Sequence, residues 1–305
     1  VLRLVTLGIL VTWLLGSLFG MYIAGLPWPL AVLAAAILTV SSPTVIIPIL
    51  RILKLKPGLA SVVKWEGILN DPVGVLLAVL VFEAVRGGEG GVAPAVSTIL
   101  TTIVAGALIG TAGAALIVIG IRKFWGPHFL DNVFVLAVVF LVFIATNTFQ
   151  REAGLLAVTL MGVPLANQRV VDVHAIVEFK ESLRVILIAS LFIILSARLT
   201  LEDLAFVDAR VAAFIGLMVI VTRPIAVWLS TAGTPLVWSD RSFLMWMAPR
   251  GIVAAAVASV FALQLESAGI AGARILATVI FATILVTTLL YGLTARRVAK
   301  RLRVS

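Results

Sequence analysis

Four ionisable residues, Glu66, Asp71, Arg223 and Arg250, stand inside long apolar runs of this sequence. A charge at the centre of a bilayer costs on the order of 3 kcal/mol on insertion scales, so each of the four needs a partner or a task. Asp71 is followed by Pro72, which cannot donate to the carbonyl of Ile68 and disfavours the α conformation at Asp71 itself. A free carbonyl and a carboxylate at one depth, with the Asn70 amide alongside, form a set of hard oxygen ligands suited to a small alkali cation. The same carboxylate can hold a proton instead. One site that takes either a proton or a cation is the minimum needed to exchange them.

Depth along the helices sorts the other charges. If the helix carrying Asp71 enters the membrane near Ser61, Asp71 lies about 15 Å in at ~1.5 Å per residue, close to the midplane of a ~30 Å core. Glu66 is shallower. Arg223, near the end of its own helix, lies about 10–12 Å from the same face, so a Glu66–Arg223 ion pair is the natural assignment. On a helical wheel Asn70 falls about 40° from Glu66 and Asp71 about 140° away, so the two carboxylates meet different surroundings. An arrangement in which Asp71 pairs with Arg250 and only locks the bundle stays open.

The elements that position these residues must be membrane helices. Of 305 residues 62% are hydrophobic and 12% charged, and mean hydropathy is +1.21, values that exclude a soluble globular chain. Apolar stretches predict ten helices, at about 4–25, 28–50, 59–84, 96–121, 130–149, 153–167, 182–198, 210–231, 242–265 and 272–295. No linker divides them, so residues 1–295 read as one transmembrane domain and 296–305 as a basic tail stub. The first apolar run is too long for a signal peptide and lacks a cleavage site; it reads as a span of a chain whose true N-terminus is missing. Cysteine is absent, which removes disulfides and thiolate chemistry. His128 and His174, the only histidines, fall far apart in apparent loops, which argues against a histidine metal cluster.

The net charge of +9 has a topological explanation. Counting loops back from a cytoplasmic C-terminal run of Arg296, Arg297, Lys300, Arg301 and Arg303 places most loop cations inside and only Arg86, Arg151, Arg198, Arg210 and Arg274 outside. This is the positive-inside bias, and it calls for no nucleic acid. Two helices are interrupted at mid-depth: the second at Ser41-Ser42-Pro43 and the ninth at Pro249-Arg250-Gly251. Each is the middle member of a triplet, and the loop count gives the triplets opposite topology. Inverted repeats whose discontinuous helices cross at mid-membrane are a common secondary-transporter architecture.

These motifs resemble the monovalent cation/proton antiporter 1 family, the NhaP-type and eukaryotic Na+/H+ exchangers. Glu66-Gly-Ile-Leu-Asn70-Asp71 is similar to the family's E-S-L-x-N-D signature, VTRPIAV around Arg223 to its glutamate-bridging arginine segment, and APRGIVAAA around Arg250 to its second broken helix. The run from Glu152 to Ala166 is a weaker, mostly apolar match. The resemblance implies an all-α antiporter fold of the NhaA/NhaP kind with its N-terminal helices missing. It implies that Asp71 binds Na+ or K+ alternately with H+, accompanied by Asn70; the break at Ser41 and Ser42 is expected to present backbone and hydroxyl oxygens to the same cation. It also implies a Glu66–Arg223 structural pair, a homodimer in the full-length protein and electroneutral exchange, in an integral protein of the plasma membrane with a cytoplasmic C-terminus. One departure stands out: Ser41-Ser42-Pro43 replaces the family's usual Thr-Asp-Pro, so Ser42 stands where an acid is expected.

Rival readings are a cation channel, which would need a ring of like residues that the sequence does not display, an anion or organic-acid transporter seated on Arg250 and the half-helix after Gly251, and a scaffold without transport. An enzyme reading finds no nucleophile constellation, metal cluster or phosphate-cradling loop, and no cofactor is implied. The glycine pairs Gly87-Gly88 and Gly90-Gly91 read as an external turn.

Overall fold

The computed structural model describes residues 1–41, 43–87, 92–123, 130–149, 153–171, 174–198, 207–270 and 272–304. Ser42, His128, Glu152 and the glycines from Gly88 onward in the external turn lie outside the described residues. Its helices are α1 (Leu2–Tyr22), α2 (Trp28–Thr39), α3 (Pro43–Leu53), α4 (Pro57–Gly87), α5 (Val92–Arg122), α6 (Asp131–Phe149), α7 (Ala153–Asn167) and α8 (His174–Arg198). Then follow α9 (Ala209–Leu217), a π-helical turn (Met218–Thr222), α10 (Arg223–Thr231), α11 (Trp238–Trp246), α12 (Ile252–Ser267) and α13 (Ala273–Arg301). No strand occurs among the described residues. The spans at Leu2–Tyr22, Pro57–Val85, Thr101–Arg122, Asp131–Phe149, Ala209–Thr231 and Ala273–Arg301 are each long and apolar enough to cross a membrane. The shorter apolar helices include α2 and α12, which are halves of interrupted spans.

The chain forms two compact units, residues 1–88 with 192–305, and residues 89–191. In the first, α1, α2/α3 and α4 make one triplet, and α9–α10, α11/α12 and α13 make the other. Small residues let the backbones approach, as membrane helices require in the absence of a hydrophobic drive between them. A Cβ on Gly16 would lie 3.1 Å from Ala35 Cβ, and one on Gly20 3.2 Å from Ala31 Cβ. Helix α2 is correspondingly buried from Leu33 to Thr39. Phe82 of α4 stacks on Phe261 of α12, centroids 4.2 Å apart. The last helix runs on through the basic residues to Arg301, beyond the predicted end at 295, because Tyr291, Ala295 and Ala299 keep one face buried while Lys300 and Arg301 sit at its negative dipole end. The chain then turns back, and the Val304 carbonyl accepts from the Lys56 N–H at 3.1 Å.

In the second unit α5 and α7 pack closely: a Cβ on Gly110 would come 2.3 Å from the Ala157 carbonyl oxygen, and one on Gly113 2.4 Å from Val142 of α6. Asn147 at the end of α6 accepts the Gly154 N–H at 2.8 Å, fixing the entry to α7. A buried cluster of Ile117, Val138, Val142 and Met161 joins the three helices.

Candidate functional site

The interruptions at the middle of the two triplets meet. Helix α2 ends at Thr39, whose hydroxyl bonds back to the Ala36 carbonyl at 2.7 Å, and the chain resumes as α3 at Pro43, a residue suited to a helix start. Helix α11 ends at Trp246, and α12 starts at Ile252 after the extended cap Gly251. Ser41 and Arg250 form an isolated antiparallel bridge, so the two breaks cross in opposite directions, as oppositely oriented triplets require. The Arg250 N–H also reaches the Thr287 hydroxyl of α13 at 3.5 Å. Pro43, Pro249 and Gly251 therefore mark where each helix stops or starts.

Helix α4 passes the first break on a glycine seam. A Cβ on Gly67 would lie 2.6 Å from Ile46 Cδ1 and 3.8 Å from Pro43 Cα, and one on Gly74 would lie 3.0 Å from both Val40 Cα and Thr39 Oγ1. Gly67 and Gly74 lie about 20° apart on the wheel at 100° per residue. Asn70 falls about 50° to one side of that seam and Asp71 about 50° to the other, so the break lies between them, while Glu66 is about 90° further round than the seam.

Glu66 is 4% exposed and faces Arg223. The guanidinium donates through Nη1 to Oε1 at 2.5 Å and through Nη2 to Oε2 at 3.0 Å, a bidentate arrangement. Its Nε donates to the Leu244 carbonyl at 3.0 Å. Leu244 lies in the last turn of α11, where carbonyls lack helical donors, so Arg223 ties α4 to the end of a broken helix and places a cation at its negative end. Just before Arg223 the helix widens: the Arg223 N–H reaches back to the Met218 carbonyl across the π turn. Pro224, at the start of α10, supplies no N–H for the preceding turn.

Asp71 makes no ion pair with Arg250 among the described residues; its Oδ1 is buried without a hydrogen-bond partner, as are the Asn70 Oδ1 and the Ser41 hydroxyl. A cavity of about 20 Å³ beside the crossing is lined by, among others, Ser41, Glu66, Asn70, Arg223 and Arg250. Asp71 does not line it. The expected cation-site residues therefore divide: Ser41 and Asn70 share the cavity with the charged pair, Asp71 flanks the same break from the other side, and Ser42 lies outside the described residues. No group of three metal-capable acids or histidines occurs among the described residues. Sequence reasoning missed the π turn and the Leu244 carbonyl. Thr222-Arg223-Pro224 carries a signal for the first; a backbone acceptor has no side-chain signature by which the second could be found.

The comparisons agree with this architecture. A K+/H+ antiporter NhaP2 from Shewanella oneidensis is 26% identical over 98% of this chain and 52% of its own length. A probable Na+/H+ antiporter 2 from Methanocaldococcus jannaschii is 24% identical over 85% of this chain and 64% of its own. The chain thus spans about half the length of the first of these curated relatives. The structure of the sodium proton antiporter MjNhaP1 from M. jannaschii superposes with a TM-score of 0.83 at 22% identity, covering 99% of this chain and 78% of that one, which establishes the fold. The transmembrane sodium/hydrogen exchanger family matches residues 1–301, and the protein is an integral membrane member of that family.

Proposed function

We propose that this chain is the exchanging core of a secondary transporter that moves a monovalent cation, Na+ or K+, in one direction and protons in the other. The observation that carries the reading is the contrast on α4 between Glu66, which is buried, and Asp71, which is half-buried. Glu66 gives both oxygens to Arg223, whereas Asp71, beside the broken helices, keeps a buried oxygen without a partner. A committed carboxylate is structural; an uncommitted one is available to a cation or a proton. Asn70 and the hydroxyl and backbone oxygens of the 41–42 break complete the proposed ligand set, with the transported ion as the only metal. Residues 1–295 would form the exchanging domain, set in the plasma membrane with the basic stretch 296–305 on the cytoplasmic side, and a homodimer would form in the longer protein.

With Asn70 neutral, Ser42 in place of an acid and Glu66 neutralised by Arg223, one group titrates per cycle. Exchange is then one-for-one and electroneutral. The test uses proteoliposomes loaded with a pH-sensitive dye. Added Na+ or K+ should release internal protons in wild type and not in Asp71→Asn, because the amide takes up no proton at neutral pH and cannot neutralise a cation. Conductance without obligatory exchange would favour a channel, and substantial cation-driven proton flux in Asp71→Asn would end this account of the site.

A further inference from the structure

The segment that follows α13 is held more closely than a basic tail requires. The backbone reverses at Arg303, and Val304 is fully buried. The Val304 N–H donates to the Ala299 carbonyl at 3.1 Å, and the Val304 carbonyl accepts from the Lys56 N–H at 3.1 Å. Its side chain belongs to one buried cluster with Leu53, Leu55, Leu59 and Val63. Both sides of this contact hold a left-handed backbone that residues with a side chain rarely adopt, φ being 54° at Arg303 and 50° at Lys54. Such conformations persist where the surrounding structure over-determines them.

What the contact holds is the foot of α4. Lys56 directly precedes the helix, and its carbonyl accepts the Ala60 N–H at 3.0 Å. Lys56 is tied a second time, its Nζ lying 3.9 Å from Asp240 of α11. From there Leu59, Val63, Glu66 and Asn70 are all buried and fall within about 60° of arc at 100° per residue. The face of α4 that joins the Val304 cluster is therefore the face that carries Glu66 to Arg223 and Asn70 to the cavity beside the crossing. At ~1.5 Å per residue Glu66 lies about 15 Å and Asp71 about 22 Å along the helix from Lys56.

We infer that Val304 is a positioning residue of the exchange site: by fixing the height and rotation of α4 it sets where Glu66, Asn70 and Asp71 stand against the two breaks. The inference rests on the exchange reading of that site and assigns part of its geometry to a residue outside it.

Two measurements on the full chain test it. In detergent, Val304→Ala, Glu66→Ala and the double variant are compared by thermal unfolding. Residues this far apart ordinarily act independently. If Val304 sets α4, the double variant should lose clearly less Tm than the sum of the single losses, because a slipped α4 has already drawn Glu66 from Arg223; additive losses would overturn the inference. In proteoliposomes, Val304→Ala should raise the KM for the exchanged cation, Na+ or K+, at least threefold. Val142→Ala, the same truncation at a buried valine of the second unit, should leave KM unchanged. An unchanged KM in Val304→Ala, or an equal shift in both, would reduce Val304 to a general stabiliser. Arg303→Gly accepts a φ of 54° without strain and removes one tail charge, so it should keep the wild-type KM; a KM raised there to the same extent would assign the effect to charge and overturn the role of the Val304 contact. If wild type releases protons with neither cation, the exchange reading fails, and the double-mutant cycle, read without transport, still decides whether Val304 sets the placement of α4.

Discussion

At the residue scale the Glu66–Arg223 contact is the one whose energy can be bounded. Removing one member of a buried pair leaves an uncompensated charge and costs about 3–5 kcal/mol. Glu66→Ala and Arg223→Ala should each lower thermal stability by that order, and the double variant should recover part of the loss. Arg223→Ala should be the more damaging single change, because it also leaves the Leu244 carbonyl without its donor. Strictly additive losses in a double-mutant cycle would show that the two side chains do not support one another. The pairing was legible from depth because both residues sit on regular helices, where rise per residue converts position into ångströms. The environment of Asp71 was less so. The wheel separated it from Glu66, yet only the positions of Thr39, Val40 and Pro43 against Gly67 and Gly74 place the first break between Asp71 and Asn70.

At the element scale the approach of α4 to the first break depends on Gly74. A methyl group there would press on Val40 Cα and Thr39 Oγ1 at 3.0 Å, and a backbone atom cannot turn aside. Gly74→Ala should therefore cost about 1–3 kcal/mol from overpacking, less the ~1 kcal/mol that alanine gains as a helix former. Gly216→Ala in α9, with nothing within 4 Å of the added methyl, should be neutral or slightly stabilising. Thermal unfolding in detergent compares them, and equal effects would remove the seam as a determinant. The spans themselves were readable from hydropathy, and both breaks from proline and glycine within apolar runs. The start of α8 at His174 was not, since its first turns carry Glu178, Lys180 and Glu181, and a hydropathy window locates the membrane rather than the helix, which extends past it.

At the scale of the whole molecule, the proposed cycle with a single titrating carboxyl would make the net charge of the loaded carrier the same in both directions. Exchange of Na+ for H+ should then proceed at a rate and to an end-point independent of a potential clamped by valinomycin and K+; a systematic dependence on imposed voltage would show that a second carboxyl shares the cycle. The positive-inside reading of the net charge needs only a count of loop cations and stands as an expectation from sequence. The pairing of the two triplets could not be read in full, because they are not mirror images residue for residue. The first triplet opens with a regular helix, α1, whereas the second opens with a span holding the π turn at Met218–Thr222. Counted as an unbroken α-helix, the buried face of that span would drift away from Val211, Phe214 and Ile215, and Arg223 would point about 120° from Val211. One surplus residue takes up about 100° of that drift and returns Arg223 to the buried stripe. The rotational phase of the second repeat is thus held as a residue count, and the segment should tolerate exchange of its exposed Ile220 far better than deletion of it.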